Sequence, residues 1–375
     1  MSAPAKLPRW ADLVLLPAVS LAAALLLSAG LVAVMGESPV TALRLLFAGA
    51  FGTGDAIGYT LYYATNFIFT GLAVAVAYHA GLFNIGAEGQ AYIGGLGVGL
   101  VCLAGGSWPA WVVLPLAVAA GAGFGAAWAF IPAWLQARRG SHVVITTIMF
   151  NFIAAALMTY LLVNVLIKPG QQSPESREFG ANAVLPAVHG LLAKLGFEVA
   201  ASPLNLAFGI ALAAGGLVWV LLWRTRWGYR LRVAGANPAA AVYAGINPGR
   251  ITIGAMLLSG ALAGGLGLNE LAGSQHRILL DFPGGAGFVG IAVALMGRNH
   301  PVGICAAAVL FGALYQGGSQ LSFDLPRINR DLVVVIQGLV ILFCGAMENV
   351  WRGPLAALLA RLRVESRESR GESQK

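Results

Sequence analysis

The sequence predicts an all-α, polytopic membrane protein with about ten transmembrane helices and with both termini in the cytoplasm. Its composition predicts the class. Of the 375 residues, 58% are hydrophobic even without the 50 glycines, and only 10% are charged. A soluble domain carries about 25% charged residues, so this chain lacks the polar surface of a soluble globule. The same hydrophobicity excludes a disordered chain, and three cysteines inside apolar runs exclude a disulfide scaffold.

The charge-free stretches define the spans. A helix needs about 20 apolar residues to cross a hydrocarbon core about 30 Å thick. The stretch 89–137 is too long for one span, and residues 105–109 (GGSWP) provide a turn that divides it. Ten spans are predicted, at 12–35, 58–79, 84–104, 109–136, 142–166, 203–223, 250–271, 281–297, 300–318 and 331–351.

The distribution of Lys and Arg sets the orientation. With the N-terminus inside, 16 basic residues face the cytoplasm and seven face outward, as the positive-inside rule requires. This asymmetry accounts for the net charge of +8 without a nucleic-acid partner. The outer set is Arg44, Lys168, Arg177, Lys194, Arg277, Arg327 and Arg330.

The limits of the predicted spans divide the chain into a transmembrane domain, its loops and two terminal segments. Residues 1–11 form a cytoplasmic N-terminus, and 12–351 form one transmembrane domain with an external loop at 167–202 and a cytoplasmic loop at 224–249. The tail at 352–375 has no apolar period and is predicted to be disordered in the cytoplasm.

Catalytic signatures are absent from the sequence. There is no phosphate-binding Gly-x-x-x-x-Gly-Lys-Ser/Thr loop, no zinc-binding His pair and no nucleophile elbow. Gly285, Gly287 and Gly290 spell Gly-x-Gly-x-x-Gly, but they fall in a predicted span rather than after a strand, which excludes a dinucleotide site. We therefore predict no catalytic residue, no metal and no cofactor bound by this chain.

Ionisable groups inside a membrane are costly and tend to be functional. Glu88 is the only charged residue between Ala56 and Ala137, and it lies with Asn84 and Gln90 in a glycine-rich turn. One interpretation is a helix start, with Asn84 as the N-cap and Glu88 near the positive end of the helix dipole. The other is a gate or translocation path, and the two are compatible.

Further candidates for that path follow from their positions. Asn151 lies within a span, and Asp281 precedes a short span that glycines and Pro283 interrupt. Broken spans of this kind indicate transport pathways. The remaining intramembrane polar residues are interpreted as interhelical hydrogen-bonding groups, namely Asn66, Asn164, Gln337, Asn269 and Glu270.

Glycine pairs spaced four residues apart indicate close helix packing. The pairs are Gly95/Gly99, Gly121/Gly125 and Gly260/Gly264. In a chain so rich in glycine, chance spacing is the alternative.

The cytoplasmic loop contains a short predicted helix. Asn237 is its cap, Pro238 is its first residue and Gly245 ends it. A helix of one or two turns is unstable alone, so we expect this one to dock into a groove on a partner. Ala239, Ala240 and Ala241 keep its surface small.

Three segments resemble the permease subunits of bacterial ABC importers, in the branched-chain amino acid, simple-sugar and nucleoside family. Residues 232–246 (RVAGANPAAAVYAGI) resemble the coupling loop of these permeases. Residues 83–90 (FNIGAEGQ) and 287–301 (GFVGIAVALMGRNHP) resemble signatures of the nucleoside-type branch. The resemblance covers roughly residues 55–350.

The resemblance implies a transport subunit rather than an enzyme, in the bacterial inner membrane. It implies that Gly235, Asn237, Pro238, Ala239, Ala240, Ala241 and Gly245 couple to a cytoplasmic ABC ATPase, which uses ATP and Mg²⁺. Its other partners would be a second permease, identical or homologous, a solute-binding protein or lipoprotein outside, and membrane lipid. The solute would be a nucleoside or a simple sugar. The alternatives are an ion-coupled secondary transporter of a small polar solute and a membrane-embedded enzyme.

The charge asymmetry predicts that Ser173 and Ala240 lie on opposite faces of the membrane. In a chain without its three native cysteines, Ser173→Cys should react with an impermeant maleimide from outside, and Ala240→Cys only after the membrane is opened. Labelling of both from the same face would refute the ten-span topology.

Overall fold

The computed structural model describes residues 8, 11, 15–197, 199–325, 327–343, 350 and 352–357. These residues form helices and only two isolated β-bridges, which confirms the all-α membrane class. The α-helices are α1 (Leu16–Val34), α2 (Pro39–Phe51), α3 (Gly54–His79), α4 (Ala87–Ala104), α5 (Ala110–Arg139), α6 (Val143–Asn164), α7 (Val188–Lys194), α8 (Ala207–Arg224), α9 (Arg226–Ala236), α10 (Pro238–Tyr243), α11 (Pro248–Gly264), α12 (Ala286–Met296), α13 (Pro301–Asp324) and α14 (Arg330–Ile341). A 3₁₀ turn at Ala181–Ala183 and a π-helix at Leu268–Gln275 complete the elements.

Eight helical segments in the described residues are long and apolar enough to cross a membrane. They correspond to eight of the ten predicted spans, with α11 and the π-helix forming one segment, Pro248–Gln275. Of the two other predicted spans, 281–297 contains α12, which has only 11 residues, and 331–351, where α14 lies, falls partly outside the described residues. Helix α2, with 13 residues, was not predicted. The orientation of the termini stays a prediction.

The predicted tail falls largely outside the described residues. Residues 352–357 are helical, although the sequence predicts disorder from 352. Residues 358–375, and most of the predicted N-terminal segment 1–11, lie outside the description.

The described residues form two compact units, one made of those up to 46 and those from 318 onward, and the other made of 47–317. In the first unit, Val32, Leu321, Ile328 and Ile336 belong to an apolar cluster that α1, α13 and α14 share. The division into two units does not test the prediction that residues 12–351 form one transmembrane domain, which stays a prediction.

The second unit is a bundle in which α3 is the most buried long helix. It packs against α11 and α12, and α5 packs along α4 and α11. The ends of these helices follow local signals. The Thr53 hydroxyl caps α3 by accepting a hydrogen bond from the Ala56 N–H, and Gly140, at φ +69°, ends α5.

The predicted glycine pairs lie at helix contacts. A Cβ on Gly125 would overlap the Gly260 carbonyl oxygen, and one on Gly264 would overlap the Gly121 carbonyl oxygen, so α5 and α11 meet backbone to backbone. Gly95 and Gly99 instead make room for the Phe282 and Ile278 side chains, which lie in the segment between the π-helix and α12. Glycine at these positions permits the close approach that drives helix association in lipid.

We predict that Gly125→Ala destabilises the bundle by about 1–3 kcal/mol, because the added methyl group overpacks the α5–α11 contact. Thermal unfolding of the purified protein in detergent measures this. The matched control is Gly123→Ala on the same helix, where a Cβ meets nothing within 4 Å. Equal unfolding temperatures for the two variants would contradict the packing assignment.

Candidate functional site

The turn before α4 is held by Asn84. Its Oδ1 accepts from the Gly86 N–H at 2.9 Å, and its Nδ2 donates to Ser259 Oγ and to Gln90 Oε1, both at 2.8 Å. All three side chains are buried, and the Ser259 hydroxyl donates to the Ala73 carbonyl at 2.6 Å. This network ties α3, α4 and α11 together.

The predicted cap of α4 is therefore wrong. Helix α4 begins at Ala87 with Gly86 as its N-cap, because the Asn84 side chain is occupied by Ser259 and Gln90. The cap comes from another helix. Asn151 on α6 accepts from the Gly89 N–H and donates to the Ile85 carbonyl, both at 2.9 Å.

Glu88 caps a helix other than its own. Its Oε1 accepts from the Gly285 N–H at 2.8 Å, and its Oε2 accepts from the Gly287 N–H at 2.7 Å. Helix α12 begins at Ala286, so the half-buried carboxylate lies at the N-terminus of α12 and in the first turn of α4. Both helix dipoles favour a negative charge there.

Helix α12 is a broken span. Its 11 residues reach about 17 Å, and the turn at 280–285 fills the rest of the predicted span. Gly285 adopts φ +83°, and a Cβ on Gly287 would lie 2.5 Å from Glu88 Cα. The Gly-x-Gly pattern of the sequence thus serves a carboxylate rather than a pyrophosphate.

Asp281 joins this region through a backbone hydrogen bond. Its N–H donates to the Tyr92 hydroxyl at 2.6 Å, while its side chain is exposed. The structure therefore brings Asn84, Glu88, Gln90 and Asn151 together at the start of α4, with the exposed Asp281 carboxylate near enough to repel the Glu88 carboxylate. Tyr92 and Ser259 were missed, although Tyr92 follows Glu88 by one helical turn.

A second buried polar network surrounds the π-helix. Asn66 Nδ2 donates to Glu270 Oε1 at 2.5 Å, Asn269 Nδ2 donates to Asn66 Oδ1 at 2.9 Å, and Asn205 Nδ2 donates to Asn269 Oδ1 at 2.9 Å. Asn66 and Asn269 make the interhelical bonds that were predicted. Asn164 does not, because its amide donates to Tyr160 in its own helix.

The loop predicted to be cytoplasmic contains the expected short helix, α10. Asn237 Oδ1 accepts from the Ala240 N–H at 3.0 Å, Pro238 is the first residue, and Gly245 follows the helix at φ +72°. Helix α9, which precedes it, was not predicted as a helix.

Two of the predicted coupling residues face inward. Ala241 is fully buried, so the expectation that it belongs to the docking surface is wrong. Gly235 packs against the end of α3, where a Cβ would lie 2.7 Å from the Gly81 nitrogen. Gly235 and Ala241 hold α10 in place rather than presenting a surface.

The exposed face of α10 is larger than predicted. It includes Ala239 and Ala240, as expected, and also Val242 and Tyr243. Tyr243 is 95% exposed, which is unusual for a large aromatic side chain on an otherwise small surface. Exposed aromatic residues of this kind often anchor protein interfaces.

Residues 56–345 match the family described as branched-chain amino acid transport system / permease component. The chain belongs to this permease family. In the part of the permease that the structure describes, no group of three His, Cys, Asp or Glu side chains could hold a metal ion. The family and the eight long apolar helices identify a multi-pass protein of the inner membrane.

Among curated relatives, the permease is 35% identical to the glucose ABC transporter permease protein of Haloferax volcanii, over 87% of this chain and 86% of that protein. It is 34% identical to the guanosine ABC transporter permease protein of Bacillus subtilis, over 88% and 93% of the two chains. It is also 34% identical to the nucleoside ABC transporter permease protein of Lactococcus lactis, over 88% and 90%. No solved structure matches the chain.

We predict that Glu88→Gln lowers transport about tenfold, because an amide can accept only one of the two backbone hydrogen bonds and places a donor against the other N–H. Uptake per molecule of membrane-inserted protein measures this. Glu178→Gln, at an exposed residue of the predicted external loop, is the control. Normal uptake, or failure of the Glu88 variant to accumulate, would exclude a gating role.

Proposed function

We propose that this chain is the transmembrane subunit of an ABC importer and forms the path for a nucleoside or a simple-sugar-like solute. ATP hydrolysis in a partner subunit would drive it, with ATP and Mg²⁺ bound by the partner and no cofactor on this chain. The partners would be a cytoplasmic ATPase, a second permease chain, an extracytoplasmic solute-binding protein or lipoprotein, and membrane lipid. Family membership and the names of the three relatives support this proposal.

The observation that carries the coupling role is the exposure of α10. A six-residue helix is not stable alone, and α10 owes its position to the Asn237 cap, Pro238 and buried Ala241. Its outward face, with Ala239, Ala240 and Tyr243, has no partner within the described part of the chain. A small-residue face around one aromatic ring fits a groove on the ATPase.

A continuous set of contacts leads from α10 to Glu88, the proposed gate residue. Helix α9 ends at Ala236, immediately before α10, and Gly235 packs on Gly81 at the end of α3. The turn that follows Gly81 contains Asn84 and leads directly into α4 and Glu88. A displacement of α10 by the ATPase would therefore reach the carboxylate that holds the start of α12.

The polar groups at the start of α4 hold the helices together and are not free to bind solute. Asn84, Gln90 and Ser259 are buried and bonded to one another, Asn151 is bonded to the backbone of residues 85 and 89, and Glu88 is occupied by backbone N–H groups. Relatives of similar identity are named for glucose, guanosine and nucleosides. The resemblance of residues 83–90 to the nucleoside-type signature favours a nucleoside.

We predict that Ala240→Arg abolishes both co-purification of the ATPase and solute uptake, because a long charged side chain cannot enter a close-packed groove. Helix folding should be unaffected, since Ala240 is exposed. The measurements are ATPase recovery on the tagged permease and uptake by the complete importer.

The control for this substitution is Ala357→Arg, which adds the same charge at an exposed alanine outside the loop. Tyr243→Ala, which removes bulk instead of adding it, should also weaken recovery of the ATPase. If the basic residues of α9 only anchor the loop to anionic lipid, Ala240→Arg will bind the ATPase normally, and the coupling assignment fails.

A further inference from the structure

A cavity of about 430 Å³ opens beside the predicted external loop, within the unit formed by residues 47–317. Its walls come from the loop at 181–187, the start of α7, residues 202–203 before α8, and the end of the π-helix. The volume lies within the range of small-molecule sites in proteins. It is separate from the cluster at the start of α4.

The polar groups that line the cavity are all uncharged side chains or imidazoles. They are His189, Ser202, Ser274 and His276. One ring nitrogen of His189 lies 3.1 Å from the Ser202 carbonyl oxygen, which leaves the other free to bond. Among the described residues, the His276 ring and the Ser202 hydroxyl have no hydrogen-bond partner. The remaining wall is apolar and includes Pro186 and Pro203.

Backbone hydrogen bonds fix the walls of the cavity relative to one another. The Leu185 N–H donates to the Ala272 carbonyl at 2.8 Å, which ties the loop to the π-helix. The Val188 N–H donates to the Leu204 carbonyl at 2.8 Å, and the Leu206 N–H donates to the Pro186 carbonyl at 3.1 Å. The cavity is therefore formed before any ligand arrives, which lowers the ordering cost of binding.

The π-helix determines where His276 lies. A Cβ on Gly273 would overlap the Asn205 amide, which is itself bonded to Asn269, so the helix is held against the start of α8. The π-helix ends at Gln275, and His276, its C-cap, adopts φ +55°. π-Helical turns and left-handed non-glycine residues both cluster at functional sites.

We propose that this cavity is an entry site for an uncharged, hydroxyl-bearing ring solute, such as a nucleoside or a monosaccharide. The proposal rests on the importer function for its transport direction. Imidazole and serine groups both donate and accept, so they can pair with ribose or pyranose hydroxyls, and the two prolines offer an apolar face to a ring. None of the described residues that line the cavity carries a Lys or Arg side chain, so a nucleotide phosphate would lack a permanent counter-charge.

The test is protection of a cysteine inside the cavity. Val184→Cys, in a chain whose native cysteines are replaced, places a thiol on the wall. The purified permease in lipid nanodiscs, without ATPase, is treated with an impermeant maleimide in the presence of guanosine, glucose or guanosine monophosphate. A solute at about four times its dissociation constant should slow labelling about fivefold.

We expect protection by guanosine or glucose and none by the monophosphate. The control thiol is Ala193→Cys, which is exposed on α7 and does not line the cavity. Its labelling should not respond to any solute. His276→Asn keeps a residue that tolerates the left-handed backbone, and together with Ser202→Ala it should abolish protection at position 184 without changing the labelling rate in the absence of solute.

Two outcomes separate the failures. If the complete importer transports guanosine or glucose but neither protects Val184→Cys at millimolar concentration, the entry site is wrong and the importer function stands. Equal protection by the monophosphate would also overturn it. If the complete importer transports no nucleoside or sugar, the proposed function fails whatever the labelling shows.

Discussion

The hydrogen bonds between the Glu88 carboxylate and the N-terminus of α12 are the interaction on which the centre of the permease depends. Helix α12 begins part-way along a predicted span, where lipid supplies no water to pair its first N–H groups. Two of these groups, on Gly285 and Gly287, donate to Glu88. Without an acceptor of this kind, a helix of 11 residues could not begin there.

The bonds require backbone contact, and glycine provides it. Because Gly287 has no side chain, α12 can approach the backbone of Glu88. Because Gly89 has none, Asn151 can reach the start of α4; a Cβ on Gly89 would lie 2.8 Å from Asn151 Oδ1. A chain that must satisfy helix ends inside a membrane therefore places glycine where polar groups converge. The glycine content reflects this geometry as much as helix packing.

Features that depend on neighbouring residues could be predicted from the sequence. The charge-free runs predicted the eight long spans, and Asn237 with Pro238 predicted α10, because hydropathy and helix capping depend on neighbouring residues. The shortness of α12 and the π-helix could not be predicted, because they depend on Glu88 and Asn205, which are distant in sequence. Helix α9 was missed because its basic residues suggested only a charged loop. Of the three consecutive alanines in α10, only Ala241 is buried. The sequence could not predict this, because burial depends on which residues of other helices pack against α10.

The two polar networks differ in how readily they can rearrange. Asn66, Asn205, Asn269 and Glu270 are all buried and bonded to one another, so breaking one bond leaves several polar groups unpaired in an apolar interior. The Glu88 carboxylate is half-buried and makes two bonds to the backbone of α12, so withdrawal of α12 would break fewer bonds. The network around Asn269 therefore fixes the π-helix and the cavity that the end of this helix lines. We therefore expect movement between conformations to be concentrated at the junction of α4 and α12, which is also where the contacts from the loop that contains α10 arrive.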